Sequence, residues 1–309
     1  MPINRKKFIQ NSAIAGSALL LNPIKAMALS IKDSSMPSSF QLKVMATSWG
    51  FDGMMDEFCA KVKMHGYNGI EVWWPNSAIE IDQLFAALKK YQLEVGFLVA
   101  GNESEFSAHA STFKKNCTAA ATNTIQKPLY INCHSGKDYF SFQENKQLID
   151  FTTTLSRKIS IPILHETHRS RLLYSAPVAK DFFNQIPDLR ITLDMSHWCN
   201  VSESLLEDQQ DTMLKAVERT DHIHARIGHQ EGPQVNDPRA PEWAAAVKAH
   251  LDCWDKVVAI KKQQGSTLTI LTEFGPPNYM PVLPYTQQPV ANQWEINIYM
   301  MNLLRKRYA

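Results

Sequence analysis

The stretch "ILHETH", residues 163 to 168, begins as an apolar strand and then places one carboxylate, Glu166, between two histidines. Isolated charges are almost never left in apolar surroundings unless they are paired or bind a metal. A strand that ends in this way predicts that Glu166 faces other polar groups in a functional site.

Seven further apolar runs of similar length occur along the chain. They read "LKVMATSW" from residue 42, "NGIEVWW" from 68, "EVGFLVAG" from 94, "PLYINCH" from 128, "RITLDMSHW" from 190, "DHIHARIG" from 221 and "STLTILTEFG" from 266. Between them lie stretches such as "IDQLFAALKKY", 81 to 91, whose apolar residues recur at the three- and four-residue spacing of amphipathic helices. Strands buried on both faces that alternate with helices indicate parallel βαβ units.

Eight such units predict a single-domain (β/α)8 TIM barrel over residues 40–309, since this fold usually takes about 250 residues. The alternative is a doubly wound open sheet, which usually has a glycine-rich first turn when it binds a nucleotide. The segment "TSWGFDGMM" after the first strand lacks G-x-G-x-x-G, which favours the barrel. The stretch "HQEGPQVNDPRAP", 229 to 241, is too long for an ordinary connection and is predicted to be a functional loop over one face.

The N-terminus has the pattern of an export signal. Basic residues 5–7 precede the apolar run "FIQNSAIAGSALLL", and "AMA" follows at 26 to 28. This order predicts a cleavable signal peptide over residues 1–28, with cleavage after Ala28 and export to the periplasm. An amphipathic N-terminal helix is the alternative. The Ser/Pro-rich residues 29–39 are predicted to be a linker.

The charge balance excludes some partners. Residues 1–28 contain four of the 32 lysines and arginines and none of the 30 acids, so the mature chain would carry a net charge of −2. Such a chain has no basic footprint for nucleic acid or an anionic membrane. After the signal, no apolar run is long enough to span a bilayer. The sequence leaves monomer and oligomer open.

The cysteines do not indicate a disulfide framework. They are odd in number, and no two are spaced as C-x-x-C. We expect them to be mostly small core residues, with one incidental disulfide left open for an exported protein. They are Cys59, Cys117, Cys133, Cys199 and Cys253.

Four adjacent predicted strands, the fifth to the eighth, end in potential metal ligands. These are Glu166, Asp194, His224 and Glu273. In a barrel the carboxyl ends of the strands converge on one face, where active sites lie. Each residue alone has an ordinary explanation as a helix cap, an ion-pair partner or a core histidine. Together, three carboxylates and an imidazole predict a site for one divalent ion, with Mn²⁺ preferred and Mg²⁺, Co²⁺ or Zn²⁺ as alternatives.

The motifs "HETH", "LDMSHW", "HIHARIG" and "TEFGPP" make the chain resemble the xylose isomerase-like TIM barrels, also called the sugar phosphate isomerase/epimerase superfamily. The resemblance covers nearly the whole mature chain. It implies that the four residues above bind one divalent ion and that Glu166 and Glu273 also exchange protons with the substrate. It further implies substrate contact by His197, three residues after Asp194. It also aligns Glu71 with another acid common at the pocket of this family, which makes Glu71 a candidate for substrate binding.

Four more residues are candidates for substrate binding. His134 ends the fourth strand, His168 lies just past the fifth, and Arg226 shares the inward parity of His224. Trp73 is a candidate stacking surface for a sugar ring. The ordinary alternatives are backbone-bonded histidines, an ion pair between Arg226 and Glu71, and simple packing of the tryptophan.

Five other histidines are not expected to contact substrate. His222 is predicted to lie in the core below His224, and His165 to pack outward or orient another ligand. His65, His109 and His250 occur in helical stretches and are predicted to be solvated.

The resemblance implies a metal-dependent enzyme that abstracts a proton α to the carbonyl of a small carbohydrate, with isomerase or epimerase as the default. A 3-keto-glycoside lyase that acts by β-elimination is the alternative, and a non-catalytic carbohydrate-binding barrel is a different class. In the ketose 3-epimerases of this superfamily an arginine and a glutamate hold the sugar where this chain has Gln230 and Leu172, which argues against a standard free-ketose epimerase. Endonuclease IV-like enzymes add an Asp-x-His pair where this chain has Asp237-Pro238-Arg239, which argues against a nuclease.

Overall fold

A computed structural model describes residues 39–309, so the predicted signal peptide and almost all of the predicted linker lie outside the described residues. Eight parallel strands form a closed barrel in chain order, with the last strand paired to the first. The (β/α)8 prediction is confirmed. The strands are β1 Gln41–Thr47, β2 Gly69–Trp73, β3 Glu94–Ala100, β4 Ile131–His134, β5 Ile163–Glu166, β6 Ile191–Leu193, β7 Thr220–Ala225 and β8 Thr267–Thr272.

Helices connect the strands and cover the barrel. Two of them have a serine as N-cap, Ser77 and Ser141. Each serine hydroxyl accepts a hydrogen bond from the backbone amide three residues later, and the glutamate at that position accepts one from the backbone amide of the serine. A 3-10 turn, Pro241–Trp243, precedes the eighth helix. The helices are α1 Met55–Met64, α2 Ala78–Tyr91, α3 Phe106–Thr122, α4 Phe142–Ile159, α5 Ala176–Gln185, α6 Met195–Ser202, α7 Gln210–Arg219, α8 Ala244–Gln264 and α9 Gln293–Tyr308.

The apolar core lies mainly between the strands and the helices, in two large clusters. A small third cluster is formed by residues of four strands or their starts, Met45, Tyr130, Leu164 and Leu271. Such interior side chains fill a TIM barrel, so it is a packed core and not a pore. The polar residues at the carboxyl ends of the strands therefore rest on a packed base.

The prediction that His109 and His250 are solvated is wrong, because both side chains are fully buried. His109 Nε2 accepts from the amide of Gly136 at 3.0 Å, and His250 Nε2 accepts from the amide of Gly228 at 3.2 Å. Each histidine thus satisfies a buried backbone donor in a loop that follows a strand. These contacts tie α3 and α8 to the loops next to His134 and Arg226.

The loop 229–241 folds back against the barrel. His229 and Gly232 form an isolated antiparallel bridge. The buried Gln234 accepts from the amide of Gly275 at 2.7 Å and donates to its carbonyl at 3.2 Å. The loop therefore braces the segment that follows β8.

All five cysteines are free and buried, as expected for core residues. Within residues 39–309, none of the helices has the length and apolar character needed to cross a bilayer.

We expect Asn297→Ala to lower the free energy of unfolding by about 1–3 kcal/mol. The buried Asn297 side chain on α9 accepts from the amide of Phe274 at 2.9 Å and donates to its carbonyl at 3.0 Å. Gln293 also bonds that carbonyl, at 2.8 Å, so the alanine variant leaves mainly the amide unsatisfied. Urea unfolding measures the change. Asn302→Ala, an exposed position on the same helix, is the matched control, and an equal effect of both variants would contradict the prediction.

Candidate active site at the carboxyl end of the barrel

A cavity of about 350 Å³ opens at the carboxyl ends of the strands. Six of the residues predicted for the site line it, and the other four, Glu166, Asp194, His197 and His224, are buried and contact lining residues. Among the described residues, none from the loop 229–241 lines this cavity. The lining residues are Thr47, Ser48, Trp49, Glu71, Val72, Trp73, Leu98, His134, His168, Arg226, Glu273 and Tyr279.

His224 lies at the centre of the four predicted metal ligands. Its Nδ1 atom is 3.0 Å from Glu273 Oε2 and 3.5 Å from Glu166 Oε2, and potential ligand atoms of Asp194, His224 and Glu273 all lie within 4.8 Å of one another. Two ligands that each lie about 2.1 Å from one ion are roughly 3.0 to 3.4 Å apart, so these separations suit a shared divalent ion.

Two atoms of this group are buried without a hydrogen-bond partner, His224 Nδ1 and Glu273 Oε2. Buried polar atoms are normally satisfied, and orphans call for a missing water or ion. Burial alone would lower the pKa of His224, but the carboxylates of Glu273 and Glu166, together with that of Glu71, raise it well above its usual range. A cation is therefore strongly favoured here, and the residues fit a divalent ion.

Asp194 uses its two carboxylate oxygens differently. Its Oδ1 accepts from the amide of Ser196 at 2.9 Å and caps the N-terminus of α6. Its Oδ2 accepts a hydrogen bond from Arg226. Burial raises the pKa of Asp194 to about 6 despite the opposing effect of Arg226, and Glu273 adds to the rise. The ordinary interpretation as a helix cap thus holds for one oxygen, and the other faces the site.

Glu166 is buried and accepts two short hydrogen bonds. Asn132 Nδ2 and His134 Nε2 each lie 2.7 Å from Glu166 Oε2. Burial would raise the pKa of Glu166, but His134 and His224 hold it well below its usual range. Asn132 was not anticipated from the sequence. The available signal is its position two residues before His134 on β4, which gives both side chains the same inward parity.

Arg226 supplies the permanent positive charge of the site. Its guanidinium group donates to Asp194 Oδ2, lies 3.3 Å from Glu273 Oε2 and donates to His197 Nε2 at 2.9 Å. The alternative pairing with Glu71 is not the one formed. Arg226 therefore hydrogen-bonds Asp194, lies at ion-pair distance from Glu273 and neutralises part of their charge.

Three histidines form a row beside Glu166. The ring centroids of His134 and His168 are 4.6 Å apart, and those of His168 and His197 are 3.9 Å apart. Burial lowers the pKa of His168 to about 3, and His134 adds to this effect. Burial likewise holds the pKa of His197 well below its usual range, with His168 and Arg226 contributing. Both rings are therefore neutral near pH 7, and His168, which lines the cavity, is suited to hydrogen-bonding with a hydroxyl group.

Glu71 is 3% exposed and contacts two histidines of β7. Its Oε1 lies 3.2 Å from His224 Nε2, and its Oε2 lies 3.3 Å from His222 Nε2. Burial would raise the pKa of Glu71, but the two histidines together bring it well below its usual range. His222 is fully buried below His224, as expected.

Aromatic rings surround the mouth of the cavity. Trp73 is 50% exposed, with its ring centroid 5.4 Å from that of His134, and Trp49 packs edge-on against Tyr279 at 4.8 Å. Sequence reasoning missed Trp49 and Tyr279. Trp49 lies two residues past β1, so the alternation of side chains along the strand could have predicted that it faces the site. Tyr279 belongs to an irregular segment whose sequence has no periodic pattern to predict its direction.

No protein-family model matches the chain, and no curated protein matches it in sequence. Solved structures do match. An IolI protein with a bound zinc atom has a TM-score of 0.55 at 14% identity, over 86% of this chain and 99% of that one. A D-tagatose 3-epimerase-like protein has a TM-score of 0.53 at 12% identity, over 86% of this chain and 100% of that one.

An AP endonuclease of family 2 from Brucella melitensis also matches, with a TM-score of 0.52 at 13% identity over 76% of this chain and 94% of that one. These neighbours are named for different activities, and at such low identity they establish the fold alone. The comparisons thus agree with the (β/α)8 barrel fold, and the neighbours include the kinds of enzyme that the predicted resemblance names.

We expect Arg226→Gln to destabilise the metal-free protein by about 3–5 kcal/mol, because it leaves buried carboxylates without their counter-charge. Arg239→Gln is the matched control, since Arg239 and its partner Asp237 are 45% and 24% exposed. An exposed pair of this kind is worth at most about 1 kcal/mol. Urea unfolding in the presence of a chelator measures both. Equal losses would show that Arg226 is not the main counter-charge.

Proposed function

We propose that this protein is a divalent-metal-dependent enzyme of the sugar isomerase or epimerase type, which abstracts a proton α to the carbonyl group of a keto-sugar. The observation that carries the proposal is a pair of glutamates that approach one histidine nitrogen beside the cavity. Glu166 on β5 and Glu273 after β8 approach the same His224 Nδ1 atom, at 3.5 and 3.0 Å. The epimerase-like and zinc-binding neighbours with this fold are in keeping with such a centre.

A divalent ion held by Glu166, Asp194, His224 and Glu273 would act as a Lewis acid toward negative charge that develops on substrate oxygens. Glu273 lines the cavity, so its carboxylate is the one placed to accept the α-proton. Glu166 is available as the second carboxylate. If the two act on opposite faces of the same carbon, the product is the epimer; return of the proton to the neighbouring carbon gives an aldose–ketose shift.

The cavity favours a neutral sugar. Histidine and carboxylate groups can hydrogen-bond hydroxyls, and the rings of Trp49 and Trp73 offer apolar faces for stacking. Arg226 is the one permanent cation among the lining residues of the described chain, and it already bonds carboxylates. A phosphorylated sugar would lack a free cationic partner. The net charge of −2 after signal removal likewise disfavours nucleic acid as substrate.

The sugar-holding pair of the ketose 3-epimerases is not reproduced. Leu172 is 1% exposed and packs in the apolar core, so that position offers no polar group to a ketose. The substrate would therefore be a keto-sugar that is held by contacts different from those of the ketose 3-epimerases.

A 3-keto-glycoside lyase is the second candidate, favoured by the position of His134. Elimination breaks the bond between the β-carbon and the glycosidic oxygen, and that oxygen needs a proton as it leaves. His134 lies on the cavity wall with Nε2 2.7 Å from Glu166 Oε2, so a base and a proton donor stand side by side. His168 and His197 are less suited to donate a proton, because burial lowers their pKa values.

We expect elemental analysis to find one divalent ion per chain, and Asp194→Ala or His224→Ala to abolish its binding. The ion balances three clustered carboxylates, so chelation should also lower the melting temperature of the wild type. Asp237→Asn, an acid of the loop 229–241, is the control that should retain the ion. Stoichiometric metal in both alanine variants would refute the site.

We expect Glu166→Gln and Glu273→Gln each to slow α-hydrogen exchange with solvent deuterium by about 10²–10⁴-fold, the usual contribution of a general base. The assay is NMR in D₂O over a panel of free ketoses and 3-keto-glycosides, with metal-loaded protein. Glu231→Gln, an exposed residue, is the matched control. Inverted product without aglycone release identifies an epimerase.

Aglycone release identifies the lyase, and His134→Gln should then slow release more than exchange, most strongly for poor leaving groups. Absence of exchange on every substrate in the panel would contradict the enzyme proposal and support a non-catalytic carbohydrate-binding barrel.

A further inference from the structure

We propose that Glu71 is a positioning residue for the metal centre. It holds the His224 ring through Nε2, and the ring then points Nδ1 toward the place where the other three predicted ligands would share an ion. This inference rests on the proposed metal dependence and changes the role expected for Glu71 from the sequence, which was direct contact with substrate.

The two nitrogens of His224 face different groups. Nδ1 lies 3.0 Å from Glu273 Oε2 and 3.5 Å from Glu166 Oε2, on the side of the predicted ligands. Nε2 lies 3.2 and 3.4 Å from the two oxygens of Glu71, on the other side of the ring. A carboxylate that accepts Nε2–H fixes the ring orientation and leaves the Nδ1 lone pair for a metal.

The contact of Glu71 with His222 is not equivalent. His222 Nδ1 lies 2.9 Å from the carbonyl oxygen of Thr269, which can accept its proton. Its Nε2 atom lies 3.3 Å from Glu71 Oε2 but has no hydrogen-bond partner. His222 is therefore already oriented by Thr269 through Nδ1, whereas His224 has no such backbone partner among the described residues and is the histidine that Glu71 orients.

Asn132 is the competitor of Glu71 for the same nitrogen. Its Nδ2 atom is 3.1 Å from His224 Nε2 and 2.7 Å from Glu166 Oε2. A hydrogen bond donated by Asn132 to Nε2 would favour the His224 tautomer with a proton on Nδ1, which blocks metal binding. Flipping the amide would place Asn132 Oδ1 against the Glu166 carboxylate, so Glu166 fixes the amide as a donor. A hydrogen bond to an ionised carboxylate is about twice as strong as one between neutral groups, so Glu71 decides the tautomer.

Glu71→Gln tests this role because the amide keeps the shape of the side chain but loses its charge and adds a second donor beside Nε2. We expect the affinity for Mn²⁺ and Zn²⁺, measured by chelator competition, to fall about 10- to 100-fold. In the Zn²⁺-loaded protein with ¹⁵N-labelled histidine, the Nε2–H signal of His224 should exchange with solvent faster than in the wild type. That signal is assigned by its loss in His224→Asn.

His222→Gln is the matched control, since it removes the other histidine next to Glu71 and should change metal affinity less than about 3-fold. Unchanged affinity in Glu71→Gln, with a wild type that binds metal, would overturn the positioning role alone. Equal losses in Glu71→Gln and His222→Gln would also overturn it, because the effect would then not act through His224. A wild type that binds neither metal would overturn the proposed metal dependence and this inference with it.

Discussion

The mouth of this barrel is organised by the cost of burying four carboxylates close together. Glu71, Glu166 and Asp194 are at most 3% exposed, and Glu273 is 8% exposed. Unpaired charges in such surroundings are strongly disfavoured, so each acid needs a positive or hydrogen-bond-donating partner. Arg226 and the histidines supply part of that compensation, and a divalent ion would supply the rest. Removing any one partner should therefore disturb several acids at once, because they share the same compensating groups.

The surrounding fold holds these partners through buried polar contacts of its helices and loops. His109 and His250 bond the loop amides of Gly136 and Gly228, and Asn297 bonds both backbone groups of Phe274, the residue after Glu273. Each contact reaches from a helix to a segment beside a site residue. Loops that carry functional groups in a TIM barrel are irregular, so their buried donors and acceptors need partners outside the strand ladder. These side chains therefore contribute to both stability and the placement of the site.

The sequence predicted the eight strands, their order and the four convergent ligands, because strand parity and strand ends follow directly from local pattern. The same parity places Asn132 and Trp49 on the inward face, but an amide or an indole at a strand end is less distinctive in sequence than a carboxylate. Other features had no local signal: Tyr279 lies in an irregular segment, and the burial of His250 depends on an unpaired amide 22 residues away in sequence. Likewise, the loop 229–241 was predicted from its length to be a functional loop over one face, but length alone does not indicate that its side chain Gln234 bonds Gly275.

The two glutamates of the proposed reaction stand in different surroundings, and this difference bears on their roles. Glu166 accepts hydrogen bonds from Asn132 and His134, which favour its ionised form and weaken it as a base. Glu273 lines the cavity, and its Oε2 atom has no hydrogen-bond partner. Glu273 is therefore the glutamate that is placed to reach a substrate. Glu166 is better suited to bind a cation, because its hydrogen-bond donors favour its ionised form, so the two glutamates would contribute differently to the proposed reaction.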